Sequence, residues 1–185
     1  IDYNQEPPAE LLSAGTDETA GHYVEQIKSA NREVFSFYSI ARDFSSSIDL
    51  PQTLAMFTER LADFVPFDTC LIYLLDENGE HASALYVDGL HRDLLEGKRV
   101  RIGEGATGFV LSKCKRVENV NPALDFAFYP YQFDPAFRTM AAVPLAVDGK
   151  LIGAVAIYSC ELTHYQYEHM RLFETVSLIA ADAIS

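Results

Sequence analysis

Apolar residues follow several different rhythms along this chain. Between Tyr23 and Ile48 they fall at Tyr23, Ile27, Ala30, Val34, Phe37, Ala41, Phe44 and Ile48, in alternating steps of four and three. That is the heptad spacing of a helix burying a seam against another helix. Val24, Phe35, Tyr38 and Ile40 lie off the seam and predict a second covered face. The pattern fits a dimer stalk or a helix lying on its own domain. Residues 1–16 mix Pro, Gly and acids without a period and read as a linker or frayed arm; residues 17–48 form the helical segment, which Ser45-Ser46-Ser47 interrupts. Asp49 then fits an N-cap, with Pro51 in the first turn and Gln52 three positions on. Leu50, Leu54, Phe57, Leu61 and Phe64 would line one face of this second helix, which ends before Pro66.

After Pro66 the period shortens. Thr69–Asp76 is a nearly continuous apolar run of strand length, as expected for a central strand buried on both faces. Glu77-Asn78-Gly79 turns it into Ala82–Val87 as hairpin partner. Asp88–Gly97 reads as a connector with a helical turn, Lys98–Ile102 as a short strand, Gly105–Lys113 as a short helix and Lys115–Glu118 as another strand. Residues 119–137 are irregular, broken by Pro122, Pro130 and Pro135. Thr139–Val147 and Lys150–Ser159 flank Asp148-Gly149, a strong two-residue hairpin signal. Thr163-x-x-Gln166 resembles a capping box opening a last helix, with Leu172, Phe173, Val176, Ile179, Ala180 and Ala183 on its packed side. Hairpins dominate, so the fold class is α+β: an antiparallel sheet with terminal helices on one face and irregular segments on the other.

Charge narrows the functions available. The 185 residues carry 14 basic against 27 acidic side chains, net −13, a field that repels nucleic acid and anionic lipid. No run approaches the ~18–20 apolar residues of a membrane span. Three scattered cysteines (Cys70, Cys114, Cys160) fit a reducing cytosol better than a disulfide scaffold, so a cytoplasmic location is expected. The chain begins at Ile1 without a signal-peptide pattern, which leads us to expect a piece of a longer polypeptide.

Gly103-Glu104-Gly105-Ala106-Thr107-Gly108 is a literal GxGxxG between a strand and a helix. In a dinucleotide fold such glycines let backbone N–H groups approach a pyrophosphate. Here the motif follows an antiparallel hairpin and opens a helix of about two turns, so a tight turn is the favoured reading. Around it the charge sign inverts: Lys98, Arg99, Arg101, Lys113, Lys115 and Arg116 are six of the 14 basic residues. This is either a solvated face or an attractor for an anionic ligand or acidic partner. Phe126, Phe128, Tyr129, Tyr131, Phe133 and Phe137 place six aromatics within twelve residues. Such rings bury on the order of 150–250 Å² each, so the segment should fold down, either plugging the sheet or forming the lid of a small-molecule pocket. Catalytic patterns are thin. The five histidines lack HExxH spacing, GxSxG and Walker sequences are missing, and Cys70 and Cys160 fall in predicted strands. Cys114 alone lies between two basic residues, Lys113 and Lys115, the setting in which a reactive thiol is expected.

The ordered set of the opening helix from Leu50, Thr69–Asp76, Glu77-Asn78-Gly79-Glu80, Gly103–Val110, Asp134-Pro135-Ala136-Phe137, Ala141–Leu145 and Gly149–Tyr158 resembles a GAF domain, the sensory module of cyclic-nucleotide phosphodiesterases, phytochromes and bacterial signalling proteins. The resemblance runs from Leu50 to Ala183. It implies a six-stranded antiparallel sheet of GAF/PAS-like form, a ligand cavity under 119–137, dimers through terminal helices, and an output domain in the same polypeptide. The Asn-Lys…Phe-x-x-x-Asp-Glu signature of cyclic-nucleotide binders has no match. Lys115 follows Cys114 where bilin-binding members carry Cys-His, and the clustered cysteines of free methionine sulfoxide reductases are not present. The reading is therefore a non-enzymatic sensor over 49–185 that binds an unidentified small molecule through Phe109, Asp125, Phe126, Tyr129, Tyr131, Phe137 and Thr139. No catalytic residue, metal site, cofactor, nucleic-acid partner or membrane contact is expected. A ligand-free dimerisation connector, or a thiol-dependent redox enzyme centred on Cys114, are the alternatives.

Overall fold

The structure, a computed structural model, describes residues 49–127 and 133–185. The arm expected at 1–16, the heptad helix of 17–48, and Phe128, Tyr129 and Tyr131 lie outside the described residues. Helix α1 (Leu50–Ala62) starts as its sequence predicts, with Asp49 Oδ1 accepting the Gln52 N–H at 2.9 Å. Its buried stripe is Thr53, Leu54, Phe57, Thr58 and Leu61. Leu50 stays exposed at the helix start, and Phe64 lies beyond its end. The two threonines are tolerated there because their hydroxyls donate back to the carbonyls of Asp49 and Leu54.

Strand β1 (Thr69–Leu75) pairs antiparallel with β2 (His81–Gly89) and with β6 (Lys150–Ser159). This central place is why its sequence is apolar on both faces. Beyond β2 come a single turn of helix, α2 (Arg92–Leu95), and the edge strand β3 (Arg99–Arg101). Helix α3 (Gly105–Lys113) and strand β4 (Val117–Val120) follow, then one turn, α4 (Ala123–Phe126), and the hairpin of β5 (Thr139–Val147) with β6. Helix α5 (Tyr167–Ile184) completes an α+β fold whose six-stranded antiparallel sheet runs β3-β2-β1-β6-β5-β4.

Residues of alternate parity separate the two faces of the sheet. Leu71, Tyr73, Met140, Ala142, Ala154, Ala156 and Tyr158 form one buried cluster with Ala106, Val110 and Leu111 of α3, Phe126 of α4 and Leu95. The intervening Cys70, Ile72, Ala141, Val143, Val155 and Ile157 are equally buried; by strand geometry they face the opposite side. There α5 packs on β5 and α1 packs on α5.

Three expectations about the later elements need correction. The strand placed at Lys115–Glu118 begins at Val117, because Cys114 ends α3 in a left-handed conformation (φ 51°) and Lys115-Arg116 carry the chain to the sheet edge. The last helix is capped by a Gln166–His169 box, three residues later than the Thr163-x-x-Gln166 reading. Asn119 explains this: its amide donates to the Tyr165 carbonyl and accepts the Tyr165 N–H, holding residue 165 to the β4 edge ahead of the helix. The buried face of α5 is Met170, Phe173, Val176, Ser177, Ala180 and Ala181, so Leu172 and Ile179 are half-buried and Ala183 is exposed.

Candidate functional site

The GxGxxG loop is a turn, closed by Gly103 N–H donating to Gly108 O at 2.8 Å. It delivers the N-terminus of α3, where the free N–H groups and the helix dipole favour negative charge. That seat is taken by the chain itself. Asp125 of α4 accepts the Thr107 N–H at 2.9 Å on Oδ1, and the Thr107 and Tyr158 hydroxyls, each at 2.6 Å, on Oδ2. An anion-binding motif has thereby become an internal clasp joining α4, α3 and β6, with Asp125 only 7% exposed. Burial, reinforced by the adjacent Asp125 charge, raises the Tyr158 phenol well above its usual pKa and keeps it a donor.

Next to the clasp, Lys98 is also 7% exposed. Its ammonium lies 5.3 Å from the Phe126 ring centre and 5.7 Å from that of Tyr73, within cation–π range. Burial lowers its pKa and the Asp125 carboxylate opposes that shift. A cleft of about 310 Å³ opens here, walled by Lys98, Arg99, Val100 and Arg101 on one side and by Glu104, Gly105, Leu124 and Asp125 on the other. At the rim Arg99 pairs with Asp76 (3.4 Å) and Arg101 with Glu104 (3.7 Å). The basic cluster of the sequence therefore divides. Lys98, Arg99 and Arg101 reach this cleft, Lys113 and Lys115 are exposed around the end of α3, and Arg116 binds Glu174 at 2.7 Å.

On the other side of α4, a hollow of about 280 Å³ is lined by Asn121, Pro122, Ala123, Phe126, Ala127, Phe133, Ala136 and Phe137. Phe126, Phe133, Phe137 and Tyr158 form a chain of ring contacts at 4.8–6.1 Å. His91 holds its outer end: Nε2 lies 2.8 Å from the Pro135 carbonyl oxygen, and the ring packs on Phe133 (5.0 Å) and Phe137 (5.4 Å).

Of the expected ligand residues, Asp125, Phe126 and Phe137 come together around α4. Phe109 is 43% exposed and Thr139 is buried at the start of β5. Among the described residues neither lines these two hollows. Tyr129 and Tyr131 lie outside the described residues. Sequence reasoning passed over Thr107, Tyr158, His91 and Phe133 as site residues, and it kept Lys98 only as part of a charge run. The usable signal was Lys98 entering a strand beside Val100, where one side of a short strand must face inward. Cys70 is buried in β1 with its thiol pKa pushed far up by burial, and Cys114 is exposed. Cys160 lies one residue beyond β6 rather than within it, its pKa raised by burial and by Asp68. Among the described residues, no group of His, Cys, Asp and Glu is arranged to hold a metal ion, and no helix is long and apolar enough to cross a membrane.

The Lys98 charge carries a stability cost with a definite pH dependence. Because its folded pKa is depressed, the unfolded chain takes up the proton first as pH falls through the lysine range, which favours unfolding. Lys98→Met should therefore raise Tm at pH 7, by about 2–4 °C for each kcal/mol recovered. The gain should shrink as pH rises through the depressed folded pKa and vanish above the unfolded value of ~10.4, as followed by thermal unfolding at pH 7, 9 and 10.5.

The description of the GAF domain family matches residues 49–184. Among solved structures, the chain is similar to the GAF domain of an Acinetobacter phosphoenolpyruvate-protein phosphotransferase, at 21% identity and TM-score 0.69, covering 83% of this chain and 93% of that one. It is similar too to the GAF domain of a Coxiella burnetii phosphoenolpyruvate-protein phosphotransferase (21% identity, TM-score 0.66, 82% and 91% covered). A free methionine-R-sulfoxide reductase from Neisseria meningitidis, solved with its substrate, aligns at 19% identity and TM-score 0.59, with 80% and 85% covered. Among curated proteins no match to the sequence is found. The structural likenesses show a common fold, and the family match spans the sheet, the α3–α4 clasp and both described flanking helices: the chain belongs to the GAF domain family, a sensor and regulatory fold of signalling proteins.

Proposed function

We propose that this domain is a non-enzymatic sensor that takes a small molecule beside α4, under the 119–137 segment, and transmits its occupancy through the terminal helices to an output domain of the same cytoplasmic polypeptide. One observation carries the reading. The single turn α4 separates two hollows, with Leu124 and Asp125 facing one and Ala123 and Phe126 facing the other. It is also fastened to α3 and β6 through Asp125. A ligand that repositions α4 pulls on β6, whose neighbour β5 carries α5. It can shift the balance of states only by its differential affinity for them.

The ring chain of Phe126, Phe133, Phe137 and Tyr158 favours a second reading, a self-filled connector that dimerises through its terminal helices without a ligand. Native mass spectrometry of freshly purified protein, followed by a thermal-shift screen, separates the two. A sensor should carry an extra mass lost on denaturation. That compound should raise Tm by about 5–10 °C at a hundredfold excess over Kd. A dimer mass with nothing added, and a screen without stabilisers, would leave the connector.

A further inference from the structure

One wall of the aromatic hollow beside α4 is loosely made and pinned at a single point. Phe133, Ala136 and Phe137 form that wall and share the hollow with Ala123 and Phe126 of α4. Asp134, Pro135 and Ala136 are exposed. Among the described residues, the main chain from Asp134 to Phe137 makes hydrogen bonds only through the Pro135 carbonyl. A segment with so few bonds and so little buried surface opens at low cost. The pin is His91. A carbonyl oxygen only accepts, so the 2.8 Å contact with Pro135 puts a proton on His91 Nε2. The same ring packs on Phe133 and Phe137, which flank that carbonyl in the chain, at 5.0 and 5.4 Å. Its mount, by contrast, is rigid. Leu90, the residue before it, donates its N–H to the Asp68 carbonyl at 3.0 Å and accepts the Thr69 hydroxyl at 2.8 Å, at the start of β1. His91 itself is left-handed (φ 61°), a conformation that a non-glycine residue keeps only where its surroundings fix it. The half-buried Cys160 thiol lies 3.7 Å from the same Pro135 carbonyl oxygen. At the far end of the wall the Arg138 N–H donates to Ser159 O at 2.7 Å and ties the chain to β6.

We propose that His91 is a latch: it holds residues 133–137 down as the movable wall of the aromatic hollow, and the hollow opens when that fastening lets go. The inference rests on the sensor reading for its purpose, the entry of a ligand, but its test uses no ligand. The three cysteines supply the readout. Cys114 is exposed, Cys70 is fully buried in β1, and Cys160 sits against the wall. Alkylation by iodoacetamide, followed site by site with mass spectrometry, therefore reports the free surface, global unfolding and the wall separately. In the unaltered protein Cys160 should react by local opening, at a rate that stays flat in urea below the unfolding transition while the Cys70 rate climbs. His91→Ala should speed Cys160 about tenfold, through the loss of one hydrogen bond and two ring contacts. Cys114 should not change, and Cys70 should change far less. His91→Phe, which keeps a ring but donates nothing, should fall between. The pH midpoint of Cys160 alkylation should stay in place, which separates opening of the wall from a change in the thiol. Should His91→Ala not fold, the urea dependence of the unaltered protein decides alone. Cys160 and Cys70 rising together with urea, equal acceleration of both in His91→Ala, no acceleration of Cys160, or an acceleration that comes with a shifted pH midpoint would overturn the proposal. The sensor reading would still stand or fall on whether purified protein carries a bound mass.

Discussion

Asp125→Ala is expected to destabilise the domain by about 3–4 kcal/mol, a large share of the 5–15 kcal/mol typical of a folded domain. The carboxylate receives three short hydrogen bonds in a site 7% exposed to solvent. Its removal leaves the Thr107 N–H, the Thr107 hydroxyl and the Tyr158 hydroxyl without their acceptor. It also removes the negative charge that offsets the α3 N-terminus. Urea unfolding gives the comparison through the shift in midpoint at constant slope. Asp125→Asn sets the internal control. Its amide oxygen still accepts the Thr107 N–H, and the two hydroxyls can rotate to accept from the NH₂ group, so the loss should fall to about 1–2 kcal/mol. Tyr158→Phe should cost about 1 kcal/mol alone and clearly less in the Asp125→Ala background, since the partner is then already gone. Additive losses in that pair would show that the clasp is not a unit.

The clasp also shows what a linear reading can reach. Helix α3, strands β5 and β6 and their Asp148-Gly149 turn follow their predicted bounds because period and turn residues act within a few positions of each other. The start of α5 did not, because Asn119, 46 positions from Tyr165, governs it through an amide no local rule contains. Asp125 was legible as a polar group within an aromatic segment. Its partners, 18 and 33 positions away, became visible only once α3 and β6 converged on it. Lys98 shows the same limit more sharply. In sequence it belongs to a basic run, most of which is exposed; what separates it from Arg99 and Arg101 is the pair of rings from β1 and α4 that enclose its ammonium. The basic run is one feature of the sequence but several places in the structure.

Gly105→Ala should destabilise the domain by about 3 kcal/mol. Two costs combine there. Gly105 sits at φ +70°, a left-handed conformation that costs an L-residue about 1–2 kcal/mol. Its missing Cβ would lie 2.8 Å from the Leu124 carbonyl oxygen and 2.8 Å from Asp125 Oδ1, so α4 would have to retreat and stretch the clasp. Overpacking of this kind costs about 1–3 kcal/mol. Gly103 separates the two contributions. It has φ +89° with nothing within 4 Å of the added carbon, so Gly103→Ala should show the conformational cost alone, about 1–2 kcal/mol. Urea midpoints give the energies, and the Thr107 amide resonance gives the mechanism. In Gly105→Ala that amide should lose the downfield shift and exchange protection of a charge-assisted bond to Asp125, and in Gly103→Ala it should keep both. Equal destabilisation by the two substitutions, with the Thr107 amide undisturbed in each, would mean that α4 yields without strain. The turn would then serve only the backbone path, and the clasp would owe nothing to the missing side chain at Gly105.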